Sequence, residues 1–139
     1  MIDFFLAMDT IPRTSAQQKG VQVRGGRPFF YTKQKVQDVK NFYAACCRMH
    51  RPPEPLDGAL EVGINFYYPT KRPHKDEEPK TTRPDVDNMA KALVDVLTDL
   101  GFWHDDGQIA ALHITKSYCN PSGVRVRIKQ ITEGGQANE

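Results

Sequence analysis

The segment from residue 85 to residue 106 restricts the fold more than any other, because it holds one well-defined helix between two acidic pairs. Apolar residues recur there every three or four positions, which predicts a helix with one buried stripe. The stripe consists of Val86, Met89, Ala90, Leu93, Leu97 and Leu100. Gly101 follows as a C-terminal stop. Asp85 and Asp87 begin the segment, Asp105 and Asp106 end it, and we expect the fold to bring the two pairs together.

The other periodicities along the chain predict a mixed domain of strands and helices. In chain order we expect strands at 2–8 and 28–31, a helix at 32–50, a strand at 60–68, the helix at 86–100, and strands at 108–118 and 124–129. Strands and helices do not alternate strictly, which favours an α+β fold with a mixed or antiparallel sheet and two main helices packed on it. We expect one domain over residues 1–132 and a flexible C-terminal tail over 133–139.

Two long polar stretches are predicted to be loops. Residues 10–26 contain three glycines and several basic residues, which is typical of a long loop or a flexible hairpin. Residues 69–84 are rich in proline and in charged residues. A connection of this length inside a compact domain is usually either functional or disordered.

The composition indicates a single soluble domain with no membrane partner. The chain has 139 residues, of which 39% are hydrophobic, and it contains no apolar run long enough to span a bilayer. Cys46, Cys47 and Cys119 form no CxxC pair, which predicts reduced thiols in a cytoplasmic protein rather than a zinc site. The net charge of +2 says little by itself. If several acids bind a metal, the remaining surface is more basic than this total suggests.

The acids have both a structural and a chemical interpretation. Asp85 follows Pro84 and is well placed as an N-cap, and Asp87 suits the dipole of the first helical turn. The Asp105–Asp106–Gly107 sequence is typical of a turn. Alternatively, converging carboxylates in a basic protein bind a hard divalent cation such as Mg²⁺, which orients a phosphate and activates a water molecule.

Lys91 lies one turn after Asp87 on the same helical face. It either pairs with Asp87 or stabilises the charge that develops on a scissile phosphate. Phe102 and Trp103, between the helix and the second acidic pair, are expected to be core residues that anchor the turn.

Basic residues in the second loop are the best candidates for phosphate contacts. This group consists of Lys71, Arg72, Lys75, Lys80 and Arg83, and it leads directly into Asp85. Such residues bind a nucleic acid backbone without reading its sequence. A second basic group, Arg125, Arg127 and Lys129, lies on one face of the last strand and is the alternative. Either group is also compatible with an ordinary solvated surface.

The segment RPDVDNMAKALVDVLTDLGFWHDDGQIAALHITK, residues 83–116, resembles the RusA family of Holliday junction resolvases, which prophages often encode. The match rests on the DxDN start, the lysine one turn later and the GFW–DD turn; the first half of the chain matches only in element order. By position, the resemblance implies three metal-binding aspartates, Asp85, Asp87 and Asp106, with Lys91 as a further catalytic residue. It also implies a Mg²⁺-dependent homodimeric endonuclease that places symmetric nicks in four-way DNA junctions during recombination and repair.

Two other functions fit the pattern less well. A non-catalytic junction-binding protein would have little use for the acids, because carboxylates repel DNA in the absence of a metal. A phosphohydrolase with a nucleophilic DxD aspartate normally carries that motif after a buried strand, whereas residues 80–84 are polar.

Overall fold

Two layers make up the structure, a mixed β-sheet and a pair of helices packed on one of its faces. This computed structural model describes the backbone of residues 1–13, 22–24, 27–29, 31–131 and 137–138, and the side chains of residues 1–13 and 35–131. The predicted α+β class, with two main helices on a mixed sheet, is confirmed.

The elements follow the predicted order closely. In chain order they are β1 (Ile2–Ala7), β2 (Gln22–Arg24), β3 (Arg27–Phe29), α1 (Tyr31–Cys47), β4 (Leu60–Tyr68), α2 (Val86–Leu100), β5 (Ile109–Tyr118), β6 (Gly123–Ile131) and β7 (Ala137–Asn138). Short 3-10 turns occur at Arg48–His50 and Asp106–Gln108.

The main sheet has the strand order β1–β6–β4–β5. Strand β6 is antiparallel to both β1 and β4, whereas β4 and β5 are parallel. Parallel neighbours need a crossover connection, and α2 provides it between β4 and β5. Helix α2 therefore runs back along the sheet, opposite in direction to the strands that it joins.

The core lies between the helices and the inner face of the sheet. Alternate residues of β4 point into it, and Leu60, Val62, Ile64 and Phe66 are all fully buried. Most of the stripe predicted on α2 is buried as expected, although Val86 and Leu100 at its two ends are only half-buried. Phe102 and Trp103 are core residues, as predicted.

Short strand pairings occur in the stretch 10–26, which is predicted as a long loop or a flexible hairpin, and in the segment 133–139, which is predicted as a tail. Strand β2 lies within residues 10–26 and pairs with β3 as a hairpin. Strand β7 pairs with Gln130 and Ile131 of β6, inside the segment 133–139 that is predicted to be a flexible tail. Such short pairings depend on a free partner edge, which the local composition does not reveal. Of these two stretches, residues 14–21, 25–26, 133–136 and 139 lie outside the described residues.

The loop between β4 and α2 returns along the outer edge of β5. Pro79 forms a bridge with Ser117, and the Lys80 N–H donates to the Lys116 carbonyl at 2.9 Å. The Tyr118 N–H donates to the Glu78 carbonyl at 2.9 Å. These bonds fasten the end of the loop beside the start of α2.

Neither helix in the described part of the chain combines the length and the apolar character that a membrane crossing requires. Cys46, Cys47 and Cys119 are free thiols, as predicted.

Candidate functional site

The first acidic pair lies at the N-terminal end of α2. Asp85 occupies the N-cap position with an extended backbone, yet its exposed carboxylate makes no capping hydrogen bond. Asp87 is exposed in the first turn, where its Oδ1 accepts from the Asn88 N–H at 3.0 Å. Helix initiation therefore accounts for the position of Asp85 but leaves its carboxylate available. The residues before it form a loop rather than a buried strand, which counts against a DxD phosphohydrolase.

Lys91 is exposed one turn further along the same helix. No ion pair among the described residues joins it to Asp87, so the simple helix-surface pair is not formed. The Lys91 ammonium group is therefore a positive charge in the N-terminal half of α2, the half that begins at Asp85.

The second acidic pair lies in the turn that follows α2. Gln108 fixes this turn, because its Oε1 accepts from the backbone N–H of Asp105 at 2.9 Å and its Nε2 donates to the Leu56 and Gly58 carbonyls. The Asp105 carboxylate folds over Gly107, where a Cβ atom would lie 2.7 Å from its Oδ2. Asp105 thus belongs to the turn itself, whereas Asp106 begins the 3-10 turn with an exposed side chain.

The two acidic pairs do not meet within one chain. Helix α2 has 15 residues and is about 22 Å long, so its two ends are a full helix length apart. Strand β5 does run back alongside the helix, but it starts next to Asp106 and carries the chain away from it. No group of three metal-binding side chains occurs among the residues that the structure describes. The expectation that a single chain brings Asp106 to Asp85 and Asp87 is wrong, because a parallel crossover separates the two ends of its helix.

Strand β5 instead brings Lys116 to the first pair, a residue that the sequence did not single out. The Lys116 Nζ donates to the Pro84 carbonyl at 2.7 Å and also to the Thr82 carbonyl. Desolvation lowers its pKa and the nearby Lys80 charge adds to that effect, whereas the charge of Asp85 opposes it. The strand alternation could have indicated this residue. Two residues after Ile114, Lys116 lies on the same inner face of β5, and it stands opposite Phe66.

Lys80 lies beside Lys116 between two aromatic rings. Its Nζ is 5.0 Å from the Tyr68 ring centroid and 5.3 Å from that of Tyr118, and it donates to Thr82 Oγ1 at 2.6 Å. Among the five predicted DNA-binding residues, it is the one with a half-buried side chain.

The other members of the basic loop are exposed. Lys71, Arg72, Lys75 and Arg83 all point to solvent, and Arg83 lies two residues before Asp85. His74 holds the loop in place, because its ring stacks on Tyr118 with centroids 4.1 Å apart and its Nδ1 lies 2.5 Å from Glu78 Oε2. The same contact with His74 lowers the pKa of Glu78.

The second basic group lies on the open face of the sheet and is partly neutralised there. Arg125 makes two hydrogen bonds to Asp3, at 3.1 and 2.8 Å, and Arg127 donates to Asn65 Oδ1 at 3.0 Å. These arginines are therefore engaged with neighbouring strands, which leaves the loop group as the stronger candidate for phosphate contacts.

Comparison with known proteins places the chain in a family. A family model described as "Endodeoxyribonuclease RusA" matches residues 9–129. The chain belongs to the RusA family. The match includes both acidic pairs and both helices, and the RusA description makes the chain an endodeoxyribonuclease, an enzyme that hydrolyses DNA. The family predicted from residues 83–116 is confirmed, and the match extends over most of the first half as well.

One relative covers nearly the whole chain, and two others cover parts of it. The crossover junction endodeoxyribonuclease rusA of Lactococcus phage r1t is 29% identical over 136 residues, which are 93% of this chain and 98% of the phage protein. The uncharacterized protein YqaN of Bacillus subtilis (strain 168) is 26% identical over 79% of this chain and 84% of its own length. The crossover junction endodeoxyribonuclease RusA of Escherichia coli (strain K12) is 37% identical over 57 residues, 41% of this chain and 46% of the Escherichia coli protein.

Proposed function

We propose that the chain is a Mg²⁺-dependent endonuclease that resolves four-way DNA junctions by paired symmetric nicks, and that it acts as a homodimer with shared active sites. In each site, Asp85 and Asp87 of one protomer face Asp106 of the partner subunit. The observation that carries the proposal is the placement of the acids at opposite ends of α2. The relatives from Lactococcus phage r1t and Escherichia coli, both named as crossover junction endodeoxyribonucleases, support the substrate class.

A two-fold axis near the middle of α2 and β5 meets the geometric requirement. Rotation about it exchanges the two ends of the helix, and this produces two equivalent sites for the two strands of a junction. Strand β5 is at the edge of the sheet, and the described residues that pair with that edge, 77–80, lie at its end near Tyr118. Leu112 lies near the middle of β5 and is 43% exposed. An apolar side chain on an open sheet edge is suited to an interface.

The donor set fits Mg²⁺, which prefers carboxylate oxygens. Asp85 has a carboxylate that does not cap the helix, and Asp87 has one oxygen beyond the Asn88 contact. Bound there, the metal supplies polarisation of the scissile phosphate and activation of the attacking water. Lys91, one turn away, stabilises the negative charge that builds up on the phosphate. Lys71, Arg72, Lys75, Lys80 and Arg83 hold the junction backbone on the approach to Asp85.

Mixed dimers of two inactive variants test the shared site. We expect Asp85→Asn and Asp106→Asn each to abolish nicking, and a dimer that contains one protomer of each to nick one strand of a synthetic junction. In that dimer one site carries both substitutions and the other carries neither. If each chain held its own complete site, both sites would be damaged and the mixture would stay inactive. The mixed dimer is purified through two different affinity tags and assayed with Mg²⁺.

The matched control is a mixed dimer of Asp85→Asn and Asp87→Asn. These two acids belong to the same end of α2, so each site in that dimer carries one substitution and nicking stays absent. Recovery in both mixtures, or in neither while the wild type nicks, contradicts the shared site. A wild-type dimer that binds junctions but does not nick them with Mg²⁺ contradicts the endonuclease itself and favours a binding protein.

A further inference from the structure

We propose that Lys116 is a positioning residue that holds Asp85 in place through the backbone just before it. The inference deepens the proposed function, on which it rests, by assigning the group that fixes the metal-binding end of α2. Lys116 acts through the carbonyl groups of Thr82 and Pro84 and not on the substrate.

Three hydrogen bonds wrap the loop around Lys116. The side-chain Nζ donates to two carbonyls, those of Thr82 and Pro84, and the Lys116 carbonyl accepts from the Lys80 N–H at 2.9 Å. One residue of β5 thus holds the loop at every second residue, at positions 80, 82 and 84. The last of them, Pro84, is bonded directly to Asp85.

The segment has few other ties to the rest of the molecule. Within the described part of the chain, no backbone–backbone hydrogen bond joins residues 81–84 to another element. Asp85 makes no capping bond that would fix its own side chain. Removing the Lys116 ammonium group therefore releases the chain that leads into Asp85, while the helix that follows remains packed in the core.

The chemistry of the contact explains why a lysine is present on the inner face of a strand. Lys116 stands opposite the fully buried Phe66, where a charged residue is unusual. None of the ion pairs between described residues includes it. An ammonium group has three donors, of which two are used on carbonyls. An apolar residue would fill the same space but leave both carbonyls without this donor.

Placement of a metal-binding carboxylate is sensitive to small shifts, because a misplacement of about 1 Å costs on the order of a hundredfold in rate. We expect Lys116→Met to lower the single-turnover nicking rate at least tenfold at saturating enzyme. Junction affinity is expected to stay within about twofold, because the ammonium group is turned towards the protein. Lys116→Arg keeps the charge and the donors, and is expected to recover part of the rate.

Hydrogen exchange in the metal-free protein provides a readout that does not depend on activity. In Lys116→Met we expect faster exchange of the Lys80 and Met89 amides, which donate to the carbonyls of Lys116 and Asp85. The Tyr118 amide, which donates to Glu78 at the other side of the loop, is expected to exchange as in the wild type. Lys80→Met is the matched control: it removes a neighbouring lysine that makes no contact with a backbone carbonyl, so the Met89 amide stays protected.

Each outcome decides the matter. Normal exchange together with a normal nicking rate in Lys116→Met overturns the inference. A lost rate with normal exchange also overturns it, since Lys116 would then act on the substrate. Faster exchange with a normal nicking rate also overturns it, because the hydrogen bonds of Lys116 would then not be needed to position the Asp85 carboxylate. If the wild type does not nick junctions at all, the proposed function fails, and exchange alone decides whether Lys116 holds the segment. If Lys116→Met does not fold, Lys116→Arg decides: it is expected to recover part of the rate and to keep the Met89 amide protected, and protected amides without any nicking would overturn the inference.

Discussion

At the scale of single residues, Asp85 is in a position that helices normally use for capping, yet its carboxylate does not cap. Asp106 is exposed in a turn that Asp105 and Gln108 already hold together. Both carboxylates therefore contribute little to the local structure that contains them. Removing their charge is expected to affect metal binding and not folding.

Asp85→Asn, Asp87→Asn and Asp106→Asn are each expected to lower nicking at least a hundredfold while junction affinity stays the same or rises. The amide keeps the size of the side chain but loses the charge that holds Mg²⁺, and fewer negative charges favour phosphate binding. Nicking rates and affinities on a synthetic junction check this.

The control for these variants is Asp95→Asn on the same helix. Asp95 pairs with Lys40 of α1 at 3.2 Å, away from both acidic ends, and a surface pair of this kind contributes at most about 1 kcal/mol. It is expected to nick normally. A near-normal rate in any of the three site variants removes that residue from the proposed site.

Among the helices and strands, the sequence predicted those elements whose buried faces appear as a regular spacing of apolar residues within the segment. Helix α2 and strand β4 display their buried faces as regular periodicities, so both were located correctly. The expected approach of Asp106 to Asp85 did not follow from the correct helix bounds, because it depends on the parallel pairing of β4 with β5, which no single segment encodes. Lys116 was not predicted for the same reason, because the two carbonyl groups to which it donates are more than thirty residues away in sequence.

The basic loop between β4 and α2 is expected to contribute to junction affinity. Lys71→Ala combined with Lys75→Ala is expected to weaken junction affinity and to flatten its dependence on salt by a slope of up to about 1.8, at about 0.9 for each lost phosphate contact. Both side chains are exposed, so the melting temperature should change little. Affinities across a salt series and a melting curve test this.

A double variant with the same loss of charge on α1, Lys35→Ala with Lys40→Ala, is the comparison. It is expected to keep the wild-type salt slope, because neither lysine belongs to the basic loop that is proposed to contact phosphates. Equal slopes in both double variants and the wild type would show that the loop is merely solvated. The phosphate contacts would then belong to Arg125, Arg127 and Lys129.

In the whole molecule, as far as the structure describes it, two separate acidic pairs lie at the ends of α2, and β5 lies at the edge of the sheet. Leu112→Glu places a charge near the middle of β5. If the proposed dimer forms through this edge, we expect Leu112→Glu to convert it to a monomer in sedimentation experiments and to abolish nicking, with the fold retained because Leu112 lies partly exposed at the edge of the sheet.

Phe42→Glu on α1 is matched to this change, since Phe42 is also 43% exposed. It is expected to leave both the dimer and the nicking rate intact. Dissociation by Phe42→Glu and not by Leu112→Glu would place the interface on α1, and the acids of two protomers would then not meet as proposed.

Because α2 connects two parallel strands, its length determines the distance between the two acidic pairs. In the proposed dimer, with the acids divided between the ends of α2, the spacing of the two cuts would be set by a rigid helix of 15 residues and not by a flexible connection. Each residue added to α2 would lengthen the helix by about 1.5 Å and rotate the acids at one end by about 100° relative to the other.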